Sequence, residues 1–238
     1  MAAMDASLNS FPDDFHALIF GAGGGIGGAL AKALETRARV TALTRNDIDV
    51  TDEAALADLA AQLKDAPRFH LIVNATGLLH DAAQDITPEK AMRQIDGDKM
   101  ARLFAVNAIA PALICKFFVP LMARDAKAVM AHLSARVGSI SDNRLGGWTS
   151  YRAAKAAQNM IVKNAAIEAS RRDTQKVIIG LHPGTVDTRL SEPFQGNVAA
   201  DKLFAPQQAA AHLLQVINMV TPADSGFVFA WDGQRIPA

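Results

Sequence analysis

The 238-residue chain has one cysteine, one tyrosine and two tryptophans, and its formal charges cancel. Cys115, the lone cysteine, excludes an intrachain disulfide and suits a reducing compartment, so a cytoplasmic location is expected. Lysine plus arginine and aspartate plus glutamate number 24 each, which leaves no basic field to hold nucleic acid. The longest basic cluster is Arg171-Arg172. The histidines (His16, His70, His80, His132, His182 and His212) fall at no metal-ligand spacing, so no metal site is expected. Apolar stretches are strand-length or interrupted, and no membrane span is expected. The first fifteen residues hold Asp5, Asp13 and Asp14, no basic residue and no apolar run, against a secretory leader.

What is present is a large apolar complement: half the residues are hydrophobic and a fifth are charged, as in a globular domain. Short apolar runs alternate with helical periodicities. Residues 16–20 read as a strand, 26–34 as a helix, 39–43 as a second strand and 69–74 as a third. Thr51 is placed to cap a helix over 52–64, with Leu56, Leu59 and Leu63 on one face. Residues 88–122 read as two helical segments, the second from about Lys99 to Met122 and bent by Pro111. A strand at 128–133, a long helix at 149–171, a strand at 177–181, a helix at 207–220 and a short strand at 226–230 follow. This alternation predicts βαβ units: an α/β, doubly wound parallel sheet with helices on both faces. No linker divides the chain, so residues 1–238 read as one domain. Its cofactor half is expected at roughly 14–135 and its catalytic and substrate half at roughly 136–238. The longest loops, 81–87 and 185–205, are candidates for function.

Two motifs carry chemistry. Between the first strand and first helix lies Gly21-Ala22-Gly23-Gly24-Gly25-Ile26-Gly27-Gly28. Glycine permits positive φ and a close approach of backbone to a diphosphate, and the unpaired amides at a helix N-terminus face an anion. The strand–turn–helix setting makes this a dinucleotide-binding turn, with Gly21, Gly23, Gly25, Ile26 and Gly27 as its candidates. At the end of the second strand, NAD-selective sites carry an acid that repels a 2′-phosphate. This chain has Thr44-Arg45 there, and a guanidinium matches phosphate geometry, so NADP(H) is favoured and NAD(H) stays open.

The second motif, Tyr151-Arg152-Ala153-Ala154-Lys155, opens the long helix, and residues at i and i+4 share a face. A free phenol titrates near ~10, and a neighbouring ammonium lowers that value toward efficient proton exchange. Tyr151 is then the candidate general acid or base and Lys155 its partner. Tyr151 is also the only tyrosine available.

With these residues in view, the sequence resembles the short-chain dehydrogenase/reductase family, in the branch of C-factor and Sniffer-like carbonyl reductases. Gly21, Gly25 and Gly27 match its Gly-x-x-x-Gly-x-Gly spacing. Asn74-Ala75-Thr76-Gly77 resembles the family's Asn-Asn-Ala-Gly, which implies that Asn74, Ala75 and Gly77 lie beside the adenine ribose. Asp49-Val50 resembles the pair flanking the adenine. Val106-Asn107-Ala108 resembles the family's helix-embedded asparagine, which implies that Asn107 distorts its helix and holds a water linking Lys155 to solvent. Pro183-Gly184-Thr185-Val186-Asp187-Thr188 resembles the loop over the nicotinamide and adds Pro183, Gly184, Val186 and Thr188 to the cofactor set. The segment from Trp231 to Pro237 is similar to the branch as well. The resemblance implies a single-domain Rossmann-type fold, transfer of hydride between nicotinamide and a small carbonyl or alcohol, and a homodimer or homotetramer built on residues 153–169 and 99–122.

One position departs from the family. Its usual catalytic serine aligns with Ala135, after Ser134, and alanine has no hydroxyl to offer a substrate carbonyl. Ser139 is taken as the substitute, with Ser141 as the other candidate. Cys115 reads as a packed thiol, His182 as a structural histidine, His80 as a loop residue able to reach substrate, and Asp142-Asn143-Arg144 as turn chemistry. Leu78, Leu79, Leu190, Phe194 and Leu203, in the loops beside the site, imply an apolar guest. Alternative readings are an NAD-dependent alcohol dehydrogenase of the same fold, and a dinucleotide-binding regulator or signalling protein with weak catalysis.

Overall fold

Seven strands form one sheet in the order β2-β1-β3-β4-β5-β8-β9, in a computed structural model that describes residues 8–124, 126–197 and 199–238. Asp5 lies outside the described residues. The strands are β1 (Phe15–Phe20), β2 (Ala38–Leu43), β3 (Leu71–Asn74), β4 (Ala128–Leu133), β5 (Lys176–His182), β8 (Val228–Ala230) and β9 (Arg235–Ile236). All pair in parallel except β8 with β9. A two-stranded parallel pair, β6 (Thr185–Val186) with β7 (Leu203–Phe204), stands apart. Thus the segment 185–205, read from sequence as loop, carries a small sheet and two 3-10 turns.

The helices are α1 (Gly25–Leu34), α2 (Glu53–Gln62), α3 (Gly97–Phe104), α4 (Ala110–Phe118), α5 (Thr149–Ser170) and α6 (Pro206–Met219). Alternation along the strands divides the core in two. Ala17, Ile19, Val73, Val129 and Ile179 face α1 and α6, through Leu30, Leu34, Leu213 and Ile217. Leu18, Phe20, Ile72, Met130 and Ile178 face α2, α4 and α5, through Leu56, Ile114, Phe118 and Val162. Strands buried on both faces read as unbroken apolar runs, which is why they are visible in the sequence. The doubly wound architecture is as expected.

Several local expectations change. Asp52, not Thr51, caps α2: its carboxylate accepts from the Ala55 amide, while the Thr51 hydroxyl turns back to Asp49. The third strand begins at Leu71, because Phe69 meets Met122 only as an isolated bridge. Gly97–Leu121 is one continuous helical stretch, long and apolar enough by composition to cross a membrane. In this fold, Leu103, Ala110, Ile114 and Phe118 pack it into the interior. Its irregularity is a π-turn over Ala105–Ile109, where the Ala110 amide reaches the Ala105 carbonyl. Pro111 has no N–H for the carbonyl four residues earlier, and the wide turn before it accommodates that loss without a break.

Candidate active site

The glycine turn sits at the carboxyl end of β1, where the strand order reverses between β1 and β3. Such switch points open a crevice beyond the strand ends. Gly21 holds φ +83°, and a Cβ there would lie 2.9 Å from the Ala75 carbonyl carbon. A Cβ on Gly27 would lie 2.2 Å from the Gly21 oxygen, so α1 enters the turn only as glycine. No side chain caps α1. The amides of Gly25, Ile26 and Gly27 find no acceptor among the described residues. They remain available to an anion. Gly25 faces Thr188, whose Cγ2 is 2.6 Å from the position of an added Cβ. The structure therefore brings Thr188, which follows Val186 of β6, against the turn. Gly23 has room, with the Thr44 side chain at 3.6 Å. Gly184 holds φ +77° after Pro183, against Phe204 and Trp231.

At the end of β2, the Asp47 carboxylate accepts from the Thr44 amide and hydroxyl, both at 2.7 Å. Arg45 is exposed beside it. The hydrogen bonds that Asp49 accepts from the Thr51 hydroxyl and amide, with smaller help from the charges of Arg102 and Arg45, hold its carboxyl below the usual range. Val50 is buried. At the end of β3, Asn74 is buried and its oxygen accepts from the Thr76 amide and hydroxyl. Its amide nitrogen lies 3.3 Å from Nδ1 of buried His132, whose Nε2 lies 3.3 Å from Cys115 Sγ. Burial pushes that imidazole down to about 3 and the thiol up to about 12, so neither titrates near neutrality. Cys115 is packed, as expected.

Tyr151 and Lys155 share the buried face of α5, with the Lys155 ammonium 5.8 Å from the phenol ring centroid. Lys155 donates to the Leu133 carbonyl and to Gln158 Oε1, each at 2.8 Å. Asn107, in the π-turn, is fully buried. Its Oδ1 accepts from the Leu78 amide, and its Nδ2 donates to the carbonyls of Leu78 and Leu103. Asn107 thus fastens the start of the 78–89 segment. A Cβ on Gly77 would lie 3.5 Å from Asn107 Oδ1 and 4.0 Å from Lys155 Nζ, so those side chains converge on one spot.

Burial sets the charges here. It drives the Lys155 ammonium down to about 7 and the Tyr151 phenol well above its ordinary value. The expectation that the lysine lowers the phenol is not met. Desolvation of the enclosed phenol dominates, and the neighbouring Lys155, bonded to Leu133 and Gln158, does not offset it. Tyr151 is therefore a neutral phenol, and its hydroxyl has no hydrogen-bond partner among the described residues.

Around it the wall is apolar. Leu79, Ile86 and Leu103 are buried with Tyr151, and Leu78, Ala135, Val137, Trp148, Leu190 and Phe194 pack against them. Leu203 is not among them; it belongs to β7. Ala135 shares the wall. Ser139, the expected substitute for a serine there, is committed elsewhere: its Oγ accepts from the Asp142 amide and lies 3.4 Å from the Ala238 oxygen. Ser141 also donates to Ala238, and Ser134 to Asn159. His80 Nε2 is 2.9 Å from the Arg189 carbonyl, and its ring packs near Phe194, closing one loop on the other. His182 is part-buried, and desolvation pushes its imidazole down to about 4. Glu89 escaped the sequence reading. It is buried, and its carboxylate accepts from the Ser150 amide and hydroxyl at the start of α5. A lone Glu in a loop 61 residues away gave no signal for that contact.

Residues 27–230 match the family model described as Enoyl-(Acyl carrier protein) reductase. Among curated relatives, the 1-hydroxy-2-glutathionyl-2-methyl-3-butene dehydrogenase of Rhodococcus sp. (strain AD45) is 34% identical over 179 residues, covering 75% of this chain and 73% of that protein. The C-signal of Myxococcus xanthus is 31% identical over 147 residues, covering 62% and 83%. Among solved structures, the carbonyl reductase Sniffer of D. melanogaster superposes with a TM-score of 0.78 at 18% identity, over 94% of this chain and 99% of that one. An NADPH-bound carbonyl reductase from chicken fatty liver gives 0.78 at 22%, over 95% and 100%. The glycine turn, the Tyr–Lys pair and these matches agree: the chain belongs to the short-chain dehydrogenase/reductase family of oxidoreductases.

Proposed function

We propose that the protein reduces small apolar aldehydes or ketones with NADPH, with Tyr151 as the proton donor. One observation carries the reading. An unpartnered, neutral phenol stands in an apolar wall beside Lys155, next to a glycine turn whose amides are free. The turn fits a dinucleotide, since Cβ atoms at Gly21 and Gly27 would collide with backbone and the amides of Gly25–Gly27 suit a diphosphate. Arg45 would meet a 2′-phosphate, Asp49, Val50, Asn74, Ala75 and Gly77 the adenosine side, and Pro183, Gly184, Val186 and Thr188 the nicotinamide side. A reduced nicotinamide held there would supply the hydride that carbonyl reduction requires. Tyr151 gives its proton to the carbonyl oxygen, Lys155 packs its ammonium beside the phenol ring, and Asn107 keeps the 78–89 segment in place. A phenol pushed upward by burial is protonated at neutral pH, which is the form that donation to a carbonyl oxygen requires.

The names of similar proteins agree in part: one is a dehydrogenase, and a structural neighbour is an NADPH-bound carbonyl reductase. A second reading, a dinucleotide-binding signalling protein with weak catalysis, draws on Ala135 and on the relative named C-signal. NADPH oxidation over a panel of aldehydes and ketones separates the two: the reductase reading expects turnover, and the signalling reading expects binding alone. Arg45→Ala tests the cofactor choice. Losing a charge-assisted contact costs about 1.5–3 kcal/mol, so NADPH affinity should fall by at least tenfold while NADH affinity holds. The single buried cysteine fits a cytoplasmic setting. Exposed Met160 and Ile167, seven residues apart on one side of α5, favour a homodimer through that helix.

A further inference from the structure

We infer that Glu89 is a positioning residue for the active site, holding the strained turn from which α5 presents Tyr151. The inference deepens the reductase reading and rests on it for its kinetic arm. α5 begins without a local cap. Its first flanking residue, Trp148, sits in the left-handed region at φ 51°, and no side chain of its own segment closes the helix end. A non-glycine residue there is strained and persists only where its surroundings hold it. Gly146 and Gly147 precede it at φ +64° and +66°, so three consecutive residues share that conformation.

Glu89 supplies the hold from three atoms. Its backbone oxygen accepts from the Trp148 amide, Oε2 from the Ser150 amide at 3.3 Å, and Oε1 from the Ser150 hydroxyl. Glu89 is 8% exposed and Ser150 is fully buried. A Cβ on Gly147 would lie 3.3 Å from the Glu89 oxygen, so the turn rests directly on this residue. An anion at a helix N-terminus also meets the positive end of its dipole.

The consequence reaches the site through neighbours. Ser150 immediately precedes Tyr151. The Trp148 indole, aimed by the strained backbone, lies 6.4 Å from the Tyr151 ring and 4.8 Å from Phe194 by centroids. Glu89 also ends the segment that Asn107 fastens at Leu78, and Ile86 between them is buried against Tyr151. That strap is tied at one end to the π-turn and at the other to the catalytic helix. Loosening the Glu89 end frees Trp148, the strap and the direction of the phenol together. The backbone and carboxylate oxygens of Glu89 are engaged by Trp148 and Ser150, so Glu89 acts on the site through them.

The test uses Glu89→Ala, Glu89→Gln and Ser150→Ala, each in the full-length chain. Glutamine keeps an acceptor for the Ser150 hydroxyl but loses the second carboxylate oxygen. In Glu89→Ala, kcat per NADPH-binding site should fall 10- to 100-fold, consistent with a small misplacement of a reacting group. The NADPH dissociation constant should stay within about threefold. Glu89→Gln should recover most of kcat. With Trp231→Phe as background, Trp148 emission should shift to the red in Glu89→Ala and not in Glu89→Gln. Ser150→Ala, which keeps the Glu89 backbone contact to Trp148, should give a smaller fall in kcat and covers the case in which Glu89→Ala does not fold. An unchanged kcat per binding site with only a lower melting temperature would overturn the proposal, as would a Trp148 emission spectrum indifferent to Glu89. If the parent protein turns over no carbonyl, the reductase reading fails, and the emission arm still decides whether Glu89 holds the turn.

Discussion

Tyr151 stands in its apolar wall without help from the serines near Ala135: among the described residues Ser134, Ser139 and Ser141 bond elsewhere, and Ala135 has no hydroxyl. Removing a single oxyanion donor from an enzyme costs about 10²–10³ in kcat. Restoring one should work in reverse, so Ala135→Ser is expected to raise kcat on simple ketones by roughly tenfold. Steady-state kinetics on parent and variant check this, and an unchanged rate would mean that position 135 does not face the substrate oxygen. Lys155 gives a second test. Its ammonium is down to about 7 in the folded chain, against 10.5 for a free side chain. Between those values the unfolded chain binds more protons, so stability rises with pH through this window. Lys127, pushed to about 8, acts in the same direction. The comparison is therefore with Lys155→Met, which should show a shallower rise in urea midpoint from pH 7 to pH 9 than the parent. That Tyr151 and Lys155 share one buried face of α5 was legible in their four-residue spacing. The direction of their titration was not, because it depends on burial that only the packed structure defines.

Among elements, the strands and the glycine turn were the most legible. Apolar runs and glycine spacing are local signals, and β4 was placed to the residue. The turn yields a sharp expectation. Gly27→Ala would put a methyl 2.2 Å from the Gly21 oxygen, a backbone atom that cannot step aside. NADPH affinity should drop by at least tenfold, a loss of about 1.4 kcal/mol, measured by quenching or transfer of cofactor fluorescence. Retention of full affinity would show that the turn does not cradle the dinucleotide. What escaped the sequence were contacts between distant segments: the Glu89 grip on α5, the β6–β7 pair inside a supposed loop, and the commitment of Ser139 to Ala238. None leaves a periodic trace. The π-turn at Asn107 was foreseen only by resemblance, and Pro111 drew the expected bend four residues too late.

At the scale of the whole molecule, two apolar layers on one sheet account for the stability, and the crevice beyond the strand ends is where the proposed site lies. Phe118 stands at the centre of the α4 side, fully buried and edge-on to Phe20 at 4.9 Å. Phe118→Ala should cost about 3–5 kcal/mol, read from the denaturant midpoint. A loss under about 1 kcal/mol would mean that the layer repacks freely. The alternation that predicted this architecture is a property of the entire chain, which is why the fold was more legible than the site. The site depends on where a few side chains point, and Ala135, Ser139 and Glu89 show how little spacing says about that.

The central claim is that Tyr151 delivers the proton in carbonyl reduction, and Tyr151→Phe tests it most directly. The variant keeps the ring in its apolar wall and removes one oxygen. With a carbonyl that the parent reduces, kcat should fall by about 10²–10⁴, while NADPH affinity stays within about threefold. A phenylalanine variant that reduces the same compound at a rate within tenfold of the parent would contradict the account.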